Sequence, residues 1–166
     1  MKLSVLICAM VLSAAGIPRF SDFPPDRKAN GRPARIELSA PFQRKFRTRI
    51  QGESKLDPNF ASHYRIAEWG CGSSCVSLAV IDLSTGAVYD GPIRTLGYGV
   101  RRRYEGGEKE LEYTVSSRLM IARGCPDDTR CGTYYFDWVN NRFRQLRFVT
   151  AGPVVESILS VVNRPQ

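Results

Sequence analysis

Trp69-Gly70-Cys71-Gly72-Ser73-Ser74-Cys75 runs straight into Val76-Ser77-Leu78-Ala79-Val80-Ile81-Asp82. The first part places two cysteines four positions apart in a segment so rich in Gly and Ser that a loop is predicted there. The second part is an apolar run with strand character. It is followed by a turn at Leu83-Ser84-Thr85-Gly86 and a short return run, Ala87-Val88-Tyr89. Together they predict an oxidised loop mounted on a β-hairpin.

Moving outward, the chain reads as β-rich from Asn59 onward. His63 to Trp69 alternates toward a strand, and Ile93 to Val100 reads as another, weakened by Gly97 and Gly99. Glu110–Val115 and Arg118–Arg123 flank Ser116-Ser117, and Thr133–Val139 and Arg142–Thr150 flank Asn140-Asn141, a pair suited to positive φ. Ala79–Val88 also resembles Tyr135–Phe143: in each, an apolar strand carrying Asp passes a polar turn and returns through an apolar residue. Strands at such short spacing predict a mostly β fold, an antiparallel meander of about three small propeller-like sheets. Val154 to Val162 is apolar enough to close the core as a strand or short helix.

Upstream, residues 16–40 carry four prolines in the stretch from Ile17 to Arg35 and read as an extended lead-in, pinned to the body by Phe20 and Phe23. Pro41 opens one short N-terminal helix at its first position. Phe42, Phe46 and Ile50 fall at helical spacing, with Arg44, Lys45, Arg47 and Arg49 between them. One apolar stripe is expected to face the core while a basic face points to solvent. Residues 41–166 make a single β-rich domain on this reading.

The first fifteen residues read as a secretory signal peptide. Lys2 supplies the positive region, Leu3 to Leu12 the apolar core, and Ser13-Ala14-Ala15 the small residues of a cleavage site near Ala15. That core is too short to anchor in a bilayer, where about 20 apolar residues are needed, so no transmembrane anchor is expected. A periplasmic or secreted protein of 151 residues follows, its formal charge lowered from +8 to +7 by loss of Lys2. A basic exported protein suits anionic surfaces or acidic proteins better than nucleic acid.

Four cysteines remain after cleavage: Cys71, Cys75, Cys125 and Cys131. An even number in an exported chain predicts a disulfide framework with three connectivities open. The two local bridges, Cys71 to Cys75 and Cys125 to Cys131, are favoured because each pair brackets a turn.

Asn59-Phe60-Ala61-Ser62-His63-Tyr64-Arg65-Ile66, Glu68-Trp69-Gly70-Cys71-Gly72-Ser73-Ser74-Cys75, Asp82-Leu83-Ser84-Thr85-Gly86-Ala87-Val88-Tyr89 and Gly132-Thr133-Tyr134-Tyr135-Phe136-Asp137-Trp138 resemble the pattern of a family of small exported bacterial proteins. The resemblance covers roughly half of the mature chain and implies export and a single domain. It carries over no catalytic residue.

Candidate chemistry is sparse. The cysteine spacings and an oxidising compartment argue against zinc, and no metal ligand set or cofactor motif is found. A redox pair usually separates its cysteines by two residues, whereas three lie between Cys71 and Cys75. His63, the sole histidine, lies near Ser73 and Ser74 in sequence, without the strand–turn–helix elbow of a serine hydrolase. A core or strand-capping role is expected for it. Glu105, Glu108, Glu110 and Glu112 read as a solvated hairpin edge rather than a glycosidase pair. Asp127 and Asp128 suit a turn better than calcium.

Arg101-Arg102-Arg103, flanked by Tyr98 and Tyr104, is the densest basic cluster, and Tyr and Arg are enriched at binding hot spots. The favoured reading is a non-enzymatic binding protein of the cell envelope, of inhibitor or immunity type. Its contacts would come from Gly72, Ser73, Ser74, Tyr98 and Arg101 to Arg103, its partner being an envelope protein or an anionic cell-surface polymer. The alternative is an exported thiol-redox or hydrolytic enzyme using the Cys71, Cys75 and His63 region.

Overall fold

The computed structural model describes residues 16–26, 35–72, 75–93, 96–97, 109–126 and 130–150. Residues 1–15, read above as a signal peptide, and the apolar tail from Val154 to Val162 lie outside them.

Eight antiparallel strands are found among the described residues: β1 (Tyr64–Gly72), β2 (Cys75–Asp82), β3 (Val88–Asp90), β4 (Leu96–Gly97), β5 (Leu111–Tyr113), β6 (Leu119–Pro126), β7 (Gly132–Val139) and β8 (Arg142–Thr150). The mostly β, antiparallel reading is therefore correct. The strands form two sheets rather than three, one of β1, β2 and β3 and the other of β5 to β8, joined through the two residues of β4. The propeller-like detail is not confirmed.

Alternation along the strands explains how the sheets stack. On β1 and β2, Ile66, Leu78 and Val80 point one way; on β6 and β7, Met120, Ala122, Tyr134, Phe136 and Trp138 answer them in one buried cluster. Each fully buried aliphatic side chain there contributes roughly 1.5–3 kcal/mol. The opposite face of the first sheet, with Ala67, Trp69, Ala79 and Ile81, is covered by Phe42, Phe46 and Ile50. Trp69 lies 4.7 Å from Phe46 and 5.7 Å from Phe42, ring centre to ring centre. The opposite face of the second sheet, with Leu119, Ile121 and Tyr135, is covered by Phe20 and Phe23. Both central strands are thus buried on two faces, which is why Leu78–Ile81 of β2 and Leu119–Ala122 of β6 are apolar without interruption.

The predicted helix is present but divided. Pro41–Lys45 forms α1 and Arg47–Glu53 forms α2, with Phe46 between them at φ −104 and ψ 21. Gln43, 3 % exposed, locks this layer to the sheet. Its Oε1 accepts from the Ser39 and Ala40 N–H groups at 2.9 and 3.1 Å, and its Nε2 donates to the Val88 carbonyl at 2.9 Å. Arg44, Lys45, Arg47 and Arg49 are exposed, as the pattern predicts.

The lead-in is less featureless than expected. Phe20–Asp22 forms a 3-10 turn, and the strap is held by Ser117 Oγ donating to the Phe20 and Phe23 carbonyls at 2.8 and 3.0 Å. Glu37 pairs with Ala87 in an isolated parallel bridge.

Candidate functional site

The predicted Trp69–Cys75 loop requires correction. β1 continues through Cys71 to Gly72, and β2 begins at Cys75, with Trp69 opposite Ser77 and Gly70 opposite Val76. Gly70 and Gly72 discourage a strand in isolation, but the backbone ladder with β2 and the Cys71–Cys75 bridge hold Gly70 to Gly72 extended. A register shift between Gly70 and Gly72 ends the regular pairing, and Gly72 has φ +141, a value that favours glycine. What remains between the strands is Ser73-Ser74, outside the described residues.

Both predicted local disulfides are present. Cys71 and Cys75 have Cα atoms 5.2 Å apart, and Cys125 and Cys131 have theirs 4.0 Å apart. Each ties the tip of a hairpin, β1–β2 in one sheet and β6–β7 in the other. The two tips are neighbours, because Gly97 of β4 pairs with Cys75 on one side and with Cys125 on the other. Two strand spacings put those cysteines roughly 10 Å apart.

Of the residues predicted to bind, Gly72 lies at this end. Ser73, Ser74, Tyr98, Arg101, Arg102 and Arg103 lie outside the described residues, as do Asp127 and Asp128. Tyr98 follows Gly97 directly in the chain. Arg130, which the sequence reading did not single out, is exposed here, its guanidinium 4.8 Å from the centre of the Phe148 ring. A lone arginine in a polar turn gives no sequence signal of that contact.

His63 belongs to the opposite end of the molecule. It precedes β1, whose nine residues span roughly 30 Å at about 3.3 Å each, so its nearness to Ser73 and Ser74 in sequence is undone by the strand between them. Its ring lies 4.1 Å from that of Tyr64, and its Nε2 is 3.8 Å from Asp82 Oδ1. Ser84 Oγ donates to Asp82 Oδ1 at 2.5 Å, and the Ser84 and Thr85 N–H groups donate to the same oxygen at 2.8 and 3.2 Å. Ser84 therefore builds the turn. It is bonded to the carboxylate and not to an imidazole base, so this trio is not assembled as a nucleophile and base.

Electrostatics around Asp82 follow from this geometry. Burial works to raise the carboxyl, but the bonds from Ser84 and Thr85 outweigh it and hold Asp82 below the usual range. Beside it opens a cleft of about 360 Å³ whose lining includes Asp26, His63, Asp82, Arg118, Trp138 and Asn141. Sequence reasoning missed this cleft, since it draws on five separate segments.

Of the expected acidic hairpin edge, Glu105 and Glu108 lie outside the described residues, Glu110 is exposed, and Glu112 is half-buried. Glu112 accepts from Arg123 Nη1 at 2.5 Å, and Tyr113 donates its hydroxyl to Glu68 at 2.5 Å. Glu68 keeps an exposed side, yet its carboxyl is raised, by burial first and then by the charges of Glu110 and Glu53, against the bond from Tyr113. Burial and the Glu68 bond push the Tyr113 phenol upward.

Among the described residues no group of three or more His, Cys, Asp or Glu side chains is placed to hold a metal ion, and no helix is long and apolar enough to cross a membrane. Comparison of the chain with protein-family models, with curated proteins and with solved structures returned no match.

Proposed function

We propose that the protein is an exported, non-enzymatic binding protein that engages its partner with the end carrying the two disulfides. The observation that carries this reading is the row Cys75, Gly97, Cys125, which sets two separately tied hairpin tips side by side. A loop whose ends are fixed covalently loses little freedom on docking, so more of its contact energy appears as affinity. On this reading Gly72, with the Ser73 and Ser74 that follow it in the chain, supplies the insertion contacts. Tyr98 and Arg101 to Arg103 follow β4 closely in the chain and supply the aromatic and cationic anchors. Arg130 adds to the same positive character.

The partner is an envelope protein with an acidic recess, or an anionic cell-surface polymer. Bridging of both cysteine pairs supports a binder over a thiol enzyme, and the length of β1 between His63 and the cysteines counts against their acting together. The test is affinity capture of envelope proteins on residues 16–166, eluted with a salt gradient and identified by mass spectrometry. One protein retained past high salt is the expected result. Retention of nothing, together with hydrolytic or thiol-exchange activity, would overturn the reading.

A further inference from the structure

The strap lies on the outer face of the second sheet in the manner of a bound peptide. Phe20–Asp22 makes a single 3-10 turn that ends at Phe23, and at three residues per turn positions i and i+3 share a face. Phe20 and Phe23 are thereby aimed the same way, and both pack against the cluster of Leu119, Ile121 and Tyr135.

The sheet meets the backbone of this turn with a row of donors. The Leu119 N–H donates to Ser117 Oγ at 3.1 Å, which turns the hydroxyl proton outward, shared between the Phe20 and Phe23 carbonyls at 2.8 and 3.0 Å. The Arg118 N–H donates to the Phe23 carbonyl at 2.8 Å, and its Nε to the Pro24 carbonyl at 3.0 Å. Every residue type carries a carbonyl, so these bonds read the path of the chain and not its sequence. The Asp22 carboxylate accepts from the Ser21 hydroxyl and the Arg19 N–H, within the strap itself. Selectivity therefore rests on the two rings.

The strap is held lightly. No residue from Gly16 to Asp26 is buried, whereas Ser117 beneath it is 0 % exposed. Segments with so little buried surface open far more readily than the whole fold. Opening uncovers the apolar cluster and strips the Ser117 and Arg118 donors of their acceptors, a loss that a new backbone repairs. Main-chain bonds for affinity and paired side-chain anchors for specificity are the two parts of peptide recognition. We infer that this face is a docking groove for a segment of a partner protein with aromatic side chains at i and i+3, and that Arg19 to Pro24 occupy it in cis as a displaceable cover. Ser117 and Arg118 precede β6, whereas Cys125 lies near the far end of that strand, so the inference does not depend on the function proposed for the disulfide end.

The test is made on residues 16–166 throughout. Phe20→Ala combined with Phe23→Ala empties both anchor positions without shortening the chain, and circular dichroism checks its fold. Fluorescent synthetic peptides are titrated against it: residues 16–26, a Gly-Ser peptide of the same length that keeps only the two Phe, and residues 16–26 with both Phe replaced by Ala. The first two should saturate the variant and the third should not bind. The native chain should bind the first two about ten-fold more weakly or worse, because its own strap competes at a high effective concentration. Amide hydrogen exchange on the native chain needs no variant: the Arg118 N–H should exchange about ten-fold faster or more than the slowest amides of β6 and β7. No saturable binding to the folded variant, binding of the first peptide alone, equal binding of the third, or an Arg118 N–H as slow as the slowest ladder amides would each overturn the inference. So would dimerisation of the native chain with rising concentration that the double substitution abolishes, which would assign the groove to the strap of a second copy.

Discussion

Cys75 and Cys125, fifty residues apart in the chain, are both backbone partners of Gly97, so one glycine separates the two disulfide-tied hairpin tips. The bridges close loops of only four and six residues' separation, and loop closure of that length is worth about 2 kcal/mol each. Removing Cys71 and Cys75 together by substitution with Ser should therefore lower unfolding stability by about 2 kcal/mol and leave the fold intact. Urea denaturation with far-ultraviolet circular dichroism checks both statements. Global unfolding of the variant would show that the bridge holds the sheets and not merely a tip.

Asp137 is 2 % exposed yet carries two cationic neighbours, Arg144 at 2.9 Å and Arg118 at 3.7 Å. Arg144 keeps a 64 % exposed side chain, so it rehydrates easily when the carboxylate is lost. The carboxylate has no such escape. The double substitution Arg118→Ala, Arg144→Ala should cost about 3–5 kcal/mol, the penalty of an uncompensated buried charge. Asp137→Asn should cost distinctly less. Thermal melts of the two variants rank them directly.

Asp82 and Glu68 should drive stability in opposite directions with pH. Asp82 is held below its usual range, so the unfolded chain binds the proton more readily than the folded one. Its contribution is complete above about pH 4 and is lost as the pH falls through the depressed folded value. Glu68 is raised above 4.5, so the folded chain holds more protons above that pH and stability declines as the pH climbs to the raised value. Glu68→Gln should thus stabilise the protein at neutral pH and leave it unchanged in acid, whereas Asp82→Asn should destabilise at neutral pH and flatten the acid limb. Denaturation midpoints across the acid and neutral range decide it.

Gly132 is closed to any side chain. A Cβ there would lie 2.2 Å from the Val149 carbonyl oxygen and 2.6 Å from the Phe148 ring, and the first of these belongs to the paired backbone of β8. Gly132→Ala should destabilise by about 1–3 kcal/mol. Gly52, in α2, meets nothing within 4 Å, and Gly52→Ala should stabilise by about 0.5–1 kcal/mol through helix propensity. Opposite shifts in melting temperature are the expected pair of results.

Much of the fold was legible because its signals are local. The apolar run of β2, the Asn140-Asn141 turn with φ of 52° and 57°, and the helical spacing of Phe42, Phe46 and Ile50 are all carried by neighbouring residues. The strand character of Gly70 to Gly72 was not legible, since these glycines adopt it only through pairing with Val76 and Cys75. Nor was the cleft. Asp26, His63, Asp82, Arg118 and Asn141 come together only after the sheets fold over their shared core, a relation that no period or spacing encodes.

The central claim, that the paired hairpin tips form the binding surface, is tested most directly by parallel capture of envelope proteins on residues 16–166 of the native sequence and on the same residues carrying Cys71→Ser and Cys75→Ser. A protein retained past high salt by the first and released early by the second, with the variant still folded, is the predicted result. Equal retention by both would contradict the claim and move the binding surface elsewhere on the molecule.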